Sequence, residues 1–213
     1  MSRGARQRLA SAPSGVVATS RKPVDQEVPR LCTARLVLRG WREDDVPAYQ
    51  RIVGDREVMR YMGSGLRWSA KRAAAGLIAR GSDLEGRRSV RHLAGHWQRN
   101  GFGEWAVEER STGELVGRLG LVYHADWVAD ESRVELGWLL ARRAWGKGYA
   151  TEGGRAGLDY AFGRLEMARL ISIALVANRR SRRVMEKLGL SLQGRTHWKG
   201  SDVVWYAIDR EDG

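Results

Sequence analysis

The chain has 213 residues with 43% hydrophobic and 29% charged side chains, and 37 lysines and arginines against 25 acids give a formal net charge of +12. This length and composition predict one folded domain with a single sizeable core, and the lone Cys32 excludes an intramolecular disulfide or a cysteine-rich zinc module. No apolar run reaches the ~18 residues of a membrane helix and no signal-peptide core follows Met1, so we expect a soluble cytoplasmic protein without a membrane partner.

The excess of positive charge leaves two explanations open. Only five of the 37 basic residues are lysine. A surface rich in arginine suits nucleic acid, acidic peptides or a polyanionic cofactor, whereas a codon bias towards arginine requires no partner. No zinc finger, RNP run or convincing helix-turn-helix accompanies the charge, so we do not expect a nucleic-acid partner.

The elements follow from hydrophobic periodicity. Residues 1–30 lack it and carry no acid before Asp25, which predicts a disordered basic tail, with an organelle transit peptide as the other interpretation. We expect residues 31–210 to form one domain, in which alternation predicts strands and i, i+3, i+4, i+7 spacing predicts helices. In chain order these are a strand 33–39, a helix that begins at Asp44 or Asp45, a helical stretch 69–100 interrupted near 81–86, strands 104–110, 114–123 and 132–140, a helix 148–165, a strand 170–176, a helix 179–188, and strands 190–195 and 202–208. This order predicts a mixed α/β domain.

One glycine-rich loop is a candidate anion site. Arg143-Ala-Trp-Gly-Lys-Gly148 fits [Gln/Arg]-x-x-Gly-x-[Gly/Ala], a pattern that occurs three times here, but only this copy follows an apolar strand and opens an amphipathic helix. Glycines let successive backbone N–H groups approach one point, the positive end of the helix dipole lies behind them, and Arg143 and Lys147 add charge. The loop therefore predicts a pyrophosphate site, and an ordinary surface turn is the alternative. A P-loop or a dinucleotide fingerprint is excluded by the residues that follow Gly146.

Four motifs in this order resemble one family. They are Thr33–Arg39 followed by Asp44 and Asp45, Glu135-Leu-Gly-Trp-Leu-Leu140, the stretch from Arg143 to Glu152, and the stretch from Asn178 through Ser181 to Gly189. Over about residues 31–209 the chain resembles the GNAT acetyltransferase superfamily, and most closely its branch of ribosomal-protein N-terminal acetyltransferases. The resemblance implies an α/β fold with a mixed, mostly antiparallel sheet that splays between two parallel strands and carries helices on both faces.

The resemblance also implies acetyl-CoA as co-substrate, in a cleft between the strand ending at Leu140 and the strand 170–176. Backbone groups of Leu139 and Leu140, and Asn178, would hold the pantetheine arm. Two leucines there would be core in any fold, and Asn178 could instead cap a helix. The residues implied for the pyrophosphate and the helix start behind it are Arg143, Ala144, Trp145, Gly146, Lys147, Gly148, Tyr149, Ala150 and Thr151.

The implied reaction is direct attack of an amine on the thioester, which needs a free-base amine, an oxyanion donor, a proton acceptor and a proton for sulfur. Glu135 is the candidate base because it alternates with Val134 and Leu136 and matches an acidic position of the family; pairing with an arginine is the alternative. Many relatives use a tyrosine to return a proton to sulfur, but the corresponding position here is Met185, which has no proton to donate. The resemblance therefore suggests that Ser181 hydrogen-bonds the thiolate. An ordinary first-turn serine is the other interpretation, and a backbone N–H near Leu140 would serve the oxyanion.

The acceptor is less specified than the donor. An α-amino group titrates at roughly 7.7–8.0 and a lysine at roughly 10.4, so a protein N-terminus needs the weaker base. Alternatives are a small amine such as an antibiotic or polyamine, or a non-catalytic module that binds acyl-CoA or nucleic acid. We expect no metal, since His92 and His96 lack a third ligand, and a monomer or homodimer. Aromatic residues in segments that line the acceptor groove of relatives are Tyr61, Trp68, Trp127, His197 and Trp198.

Overall fold

The computed structural model describes residues 28–62 and 95–211. Most of the basic tail 1–30 and most of the helical stretch 69–100 lie outside these residues, although 95–100 are helical as the sequence predicts.

The described strands form one sheet of eight in the order β1-β2-β3-β4-β5-β6-β8-β7. All neighbours are antiparallel except β5 and β6, which are parallel. The strands are β1 Leu31–Cys32, β2 Leu36–Arg39, β3 Glu104–Glu109, β4 Leu115–Tyr123, β5 Val134–Leu140, β6 Arg169–Leu175, β7 Ser191–Trp198 and β8 Ser201–Asp209.

Helices cover both faces of the sheet. They are α1 Val46–Gly54, α2 Arg56–Met59, α3 (residues 95–100), α4 Tyr149–Asp159, which continues as a π-helical turn Tyr160–Arg164, and α5 Arg179–Lys187. The larger core packs α4 and α5 against one face, where Trp105 and Leu136 are fully buried. A smaller core packs α1 and α2 against the other face through Ile52 and Leu139. This arrangement confirms the predicted fold class.

The predicted strand 33–39 is wrong in its first half. The chain turns at residues 33–35, and Leu31–Cys32 pairs back on Val37–Leu38 as a separate strand. Thr33 Oγ1 accepts from the Leu36 N–H at 3.0 Å, and the Arg35 N–H donates to Glu152 on α4 at 2.7 Å. Because side chains satisfy these amides, the turn does not need a sheet partner.

The ladder between β5 and β6 is short. Glu135 and Ile171 form the one registered pair, although both strands continue beyond it. Two side-chain hydrogen bonds follow: Ser172 Oγ donates to the Leu136 carbonyl at 2.9 Å, and the Ile173 N–H donates to Glu135 Oε1 at 3.2 Å. After these bonds the strands separate, which leaves room at the carboxyl end of β5.

Candidate active site

A cavity of about 1280 Å³ lies where β5 and β6 separate. Its walls come from the second half of β5, the loop that follows it, the first turn of α4, the end of β6, the start of α5, α2, and the turn between β7 and β8. Both cores end at this cavity, so well-packed elements position its walls.

The cavity brings together most of the residues singled out from the sequence. Those that line it are Glu135, Leu139, Leu140, Ala144, Trp145, Gly146, Gly148, Tyr149, Ala150, Thr151, Asn178 and Ser181. Arg143 and Lys147 do not line it. The Arg143 guanidinium lies 2.8 Å from Glu114, and the Lys147 ammonium lies 3.6 Å from Glu109. Because carboxylates hold both cations, their side chains do not supply the loop with the free positive charge expected of them.

The loop instead presents backbone donors. Gly146 and Gly148 have φ of +76° and +81°, which favours glycine, and Gly148 is the N-cap of α4. Within the described residues, no N–H group of residues 146–151 donates a hydrogen bond. A Cβ added at Gly146 would meet no atom within 4 Å, so the space above it is open. Unpaired amides at the positive end of a helix suit a pyrophosphate.

Positive charge reaches the cavity from α5, a contribution that the sequence analysis missed. Arg179, Arg180, Arg183 and Lys187 all line it, and the Arg180 guanidinium lies 4.8 Å from the centre of the Trp145 ring. These four residues share one helical face. The run Arg-Arg-Ser-Arg-Arg at 179–183 was the available signal, because it follows a buried strand whose end borders the cleft.

Asn178 and Ser181 bond each other at the start of α5. The Asn178 side-chain oxygen accepts from the Ser181 N–H at 3.2 Å, and its Nδ2 donates to Ser181 Oγ at 3.0 Å. Asn178 is therefore the N-cap of α5, one of the two interpretations left open by the sequence. With a lone pair of Oγ engaged, the Ser181 hydroxyl hydrogen is available to a group in the cavity.

Glu135 has two hydrogen-bond partners, neither of which the sequence analysis identified. Its Oε2 lies 2.6 Å from Nε2 of His124, and its Oε1 accepts from the Ile173 N–H. The two side chains are 16% and 13% exposed, and both residues line the cavity. Among the described ion pairs, Glu135 pairs with no arginine. No local signal in the sequence identified His124. It lies two residues beyond Val122, which the fold places opposite Glu135 across the β4–β5 ladder.

Aromatic rings continue the wall beyond His124. The His124 ring meets Trp198 edge-on, with centroids 4.9 Å apart, and Trp127 lies buried behind Trp198 at 5.3 Å. Tyr61 and Trp198 line the cavity, as expected of the acceptor side, whereas His197 is exposed and pairs with Asp202. Trp68 lies outside the described residues.

Residues 28–62 and 95–211 contain no group of three or more His, Cys, Asp or Glu side chains placed to hold a metal ion. His92 lies outside them, and His96 Nδ1 lies 2.8 Å from the Phe102 carbonyl oxygen. In the same residues, no helix is both long and apolar enough to cross a bilayer.

Comparisons with known proteins identify the family and the fold of this chain. Residues 35–191 match the family model described as an acetyltransferase (GNAT) domain. The Bacillus subtilis (strain 168) protein YkkB is 31% identical over 166 residues, which are 76% of this chain and 84% of that protein. An acetyltransferase structure from Agrobacterium tumefaciens str. C58 superposes with a TM-score of 0.66 at 27% identity, covering 88% of this chain and 98% of that one. RimL, a ribosomal L7/L12 α-N-protein acetyltransferase in complex with coenzyme A, shares the fold with a TM-score of 0.65 at 20% identity, covering 85% and 98%.

Proposed function

This chain belongs to the GNAT acetyltransferase family and is an acetyltransferase, and from that premise we propose that it transfers the acetyl group of acetyl-CoA to the α-amino group of a polypeptide. The observation that carries the proposal is the row of unpaired backbone amides at residues 146–151, which border the cavity where β5 and β6 separate. The exposed, unpaired Cys32 suits a reducing compartment, so we place the reaction in the cytoplasm.

The donor side is assigned from this geometry. The amides of residues 146–151 would bind the pyrophosphate of acetyl-CoA, and the arginines of α5 would face its negative charge. The N–H groups of Ala144 and Trp145, which the sequence also indicated, already donate to the Ala141 and Arg142 carbonyls.

Of Leu139 and Leu140, only Leu140 has its backbone on the edge of β5 that β6 has left. Its carbonyl already accepts from the Trp145 indole N–H at 2.8 Å, so the Leu140 N–H is the group that would meet the pantetheine arm. The Leu139 backbone faces β4, since the Ala141 N–H two residues further on donates to Val116 of that strand. Asn178 keeps one Nδ2 hydrogen for the same arm, since its other side-chain groups bond Ser181.

The proposed reacting groups Glu135, Leu140 and Ser181 all line this cavity. Glu135 is at the acceptor side of the cavity and would assist removal of a proton from the amine. The Ser181 hydroxyl would stabilise the departing thiolate, and the backbone N–H near Leu140 would stabilise the oxyanion. Bound acetyl-CoA supplies the activated acyl group; the described residues orient the amine, hold the carbonyl and move the protons.

The charge of the cavity favours a peptide over a polyamine. Four of the basic residues that line it lie on α5, where they would face the phosphates, and the rest of the wall carries Arg60, Arg118, Arg142 and Lys199 against the three acids Glu57, Glu104 and Glu135. A polyamine, with several positive charges, would therefore meet more basic than acidic side chains on the acceptor side as well. A peptide N-terminus brings one amino group that is about a tenth neutral at pH 7, so it needs only modest help from a base. RimL, which shares the fold, also acts on a protein α-amine.

The test is thiol release from acetyl-CoA with three kinds of acceptor. These are peptides with free N-termini, the same peptides with blocked N-termini and an internal lysine, and spermidine. We expect turnover only with free N-termini, and mass spectrometry should locate the acetyl group on the α-nitrogen. If the enzyme acetylates spermidine or the blocked peptides in preference to the peptides with free N-termini, the acceptor assignment is wrong. Glu135→Gln is the control, and it should keep acetyl-CoA affinity while losing turnover.

A further inference from the structure

We propose that His124 is the base of the acetyl transfer and that Glu135 is its positioning residue. The inference rests on the proposed function, because it concerns the proton that the acceptor amine must lose. It assigns the catalytic role to a residue outside the family motifs quoted above, and it gives Glu135 a different part from direct base.

Both oxygens of Glu135 are already occupied. Oε1 accepts from the Ile173 N–H at 3.2 Å, which ties the side chain to β6, and Oε2 lies 2.6 Å from His124 Nε2. The carboxylate therefore fills the gap between the separating strands. Both oxygens of the carboxylate are thus committed to structural contacts, one with the backbone of β6 and one with the His124 ring, which suits a positioning role.

The same contact determines the tautomer of His124. An ionised carboxylate can only accept hydrogen bonds, so the hydrogen of this contact is on Nε2. In the neutral imidazole the lone pair is then on Nδ1. A carboxylate that fixes one ring nitrogen as donor in this way orients the other as a base and stabilises the imidazolium that forms.

The Nδ1 atom is accessible. Within the described residues it has no hydrogen-bond partner, and it is not among the buried polar atoms that lack one. His124 lines the cavity, and its ring is held edge-on by Trp198 at 4.9 Å. The imidazole is thus fixed at one nitrogen by Glu135 and by the T-shaped contact with Trp198, while the other nitrogen is open to a ligand.

The step balances without any further reactant. The neutral amine nitrogen forms a bond to the thioester carbonyl carbon, and the carbon–sulfur bond breaks with its electron pair on sulfur. One hydrogen of the amine passes as a proton to His124 Nδ1. That proton then leaves to the thiolate or to water, which returns the imidazole to its neutral form with Nε2 still donating to Glu135.

The first test is imidazole rescue of His124→Ala. We expect kcat to fall by about 10²-fold or more, as for loss of a general base, with acetyl-CoA affinity unchanged. Added imidazole should restore formation of the acetylated product in proportion to its concentration. The wild type and Glu135→Ala, assayed with the same imidazole, should show no such gain. A purely structural role for His124 predicts no rescue, and His124→Gln with wild-type kcat would overturn the proposal.

The second test reads the tautomer by ¹⁵N NMR of the histidine side chains. In the wild type the His124 proton should be on Nε2, and in Glu135→Gln the amide can donate instead and move the proton to Nδ1. Glu135→Gln should therefore lose at least as much kcat as Glu135→Ala, whereas KM for acetyl-CoA should not change. A wild-type His124 protonated on Nδ1 would refute the assignment.

The two tests also separate this inference from the proposed function. If the enzyme accepts an amine other than a peptide N-terminus, the rescue is measured with that amine, and the acceptor assignment alone fails. If no amine is accepted, the proposed function fails and the NMR measurement still decides the His124 tautomer.

Discussion

The loop after β5 contains two positions that only glycine can occupy without backbone strain. Gly146 and Gly148 both have positive φ, and the amides around them are unpaired within the described chain. A side chain at Gly146 would cost backbone strain and would also occupy the space in front of those amides. Experiment can separate the backbone strain from the blocking of the amides, because a substitution at another glycine with positive φ causes only the strain.

We expect Gly146→Val to abolish acetyl-CoA binding as measured by isothermal titration calorimetry. The matched control is Gly101→Val. Gly101 has φ of +73°, and like Gly146 it has no atom within 4 Å of an added Cβ, but it does not line the cavity. Both variants should lose similar stability, and Gly101→Val should keep wild-type affinity. If Gly146→Val and the wild type bind acetyl-CoA with equal affinity, the assignment of the phosphate site to this loop is wrong.

Among the elements, α4 is anchored at its first turn by Glu152. Its carboxylate accepts from Thr33 Oγ1 at 2.6 Å and from the Arg35 N–H and Nε at 2.7 Å. Burial raises the pKa of Glu152, but the hydrogen bonds from Thr33 and Arg35 outweigh it and the net pKa is lowered. The turn between β1 and β2 is thereby attached to the helix that borders the proposed phosphate site.

We expect Glu152→Gln to lower the free energy of unfolding by about 2 kcal/mol at pH 7, the value of charged hydrogen bonds. A carboxylate with a lowered folded-state pKa contributes stability above its unfolded pKa of about 4.3 and loses it as the pH falls through the folded value. Urea unfolding of the wild type and Glu152→Gln between pH 7 and pH 3 should therefore show a difference in the free energy of unfolding that becomes smaller only below about pH 4.5. If that difference does not change with pH, this account is wrong.

The helix α5 contributes charge rather than backbone donors. We expect Arg179→Glu together with Arg183→Glu to raise the Kd for acetyl-CoA by about 100-fold or more, since each of the two lost charged hydrogen bonds contributes about 1.5–3 kcal/mol. Arg51→Glu is the control, an exposed residue of α1 that does not line the cavity. Titration at two salt concentrations should show a weaker salt dependence for the α5 variant than for wild type or Arg51→Glu.

For the molecule as a whole, the cavity joins elements distant in the chain. Its walls include residues of α2, β5, α4, α5 and the β7–β8 turn. A ligand that binds there contacts groups that are assembled only in the folded state, so its binding free energy adds to the stability of the fold.

We therefore expect acetyl-CoA at 100 times its Kd to stabilise the folded state by about 2.7 kcal/mol. For a chain of this length that corresponds to a rise in Tm of about 5–10 °C. Differential scanning fluorimetry of the wild type should show this shift and that of Gly146→Val should not. A shift of equal size in both proteins would mean that the ligand binds elsewhere.

Much of the fold could be predicted from the sequence. The order of strands and helices in residues 104–209 and the bend at residues 143–148 are encoded by periodicity, glycines and caps that act within a few residues. The turn at Thr33–Arg35 could not be predicted, because it depends on Glu152, which lies more than a hundred residues away in the chain.

The sequence by itself determined the fold class and the segment that precedes α4, since local periodicity and backbone freedom need no distant partner. Only the tertiary structure decided which charges face the cavity. It pairs Arg143 with Glu114 and brings the arginines of α5 to the opening between β5 and β6. It also joins His124 to Glu135, because the pleat of adjacent strands turns both side chains to one face of the sheet.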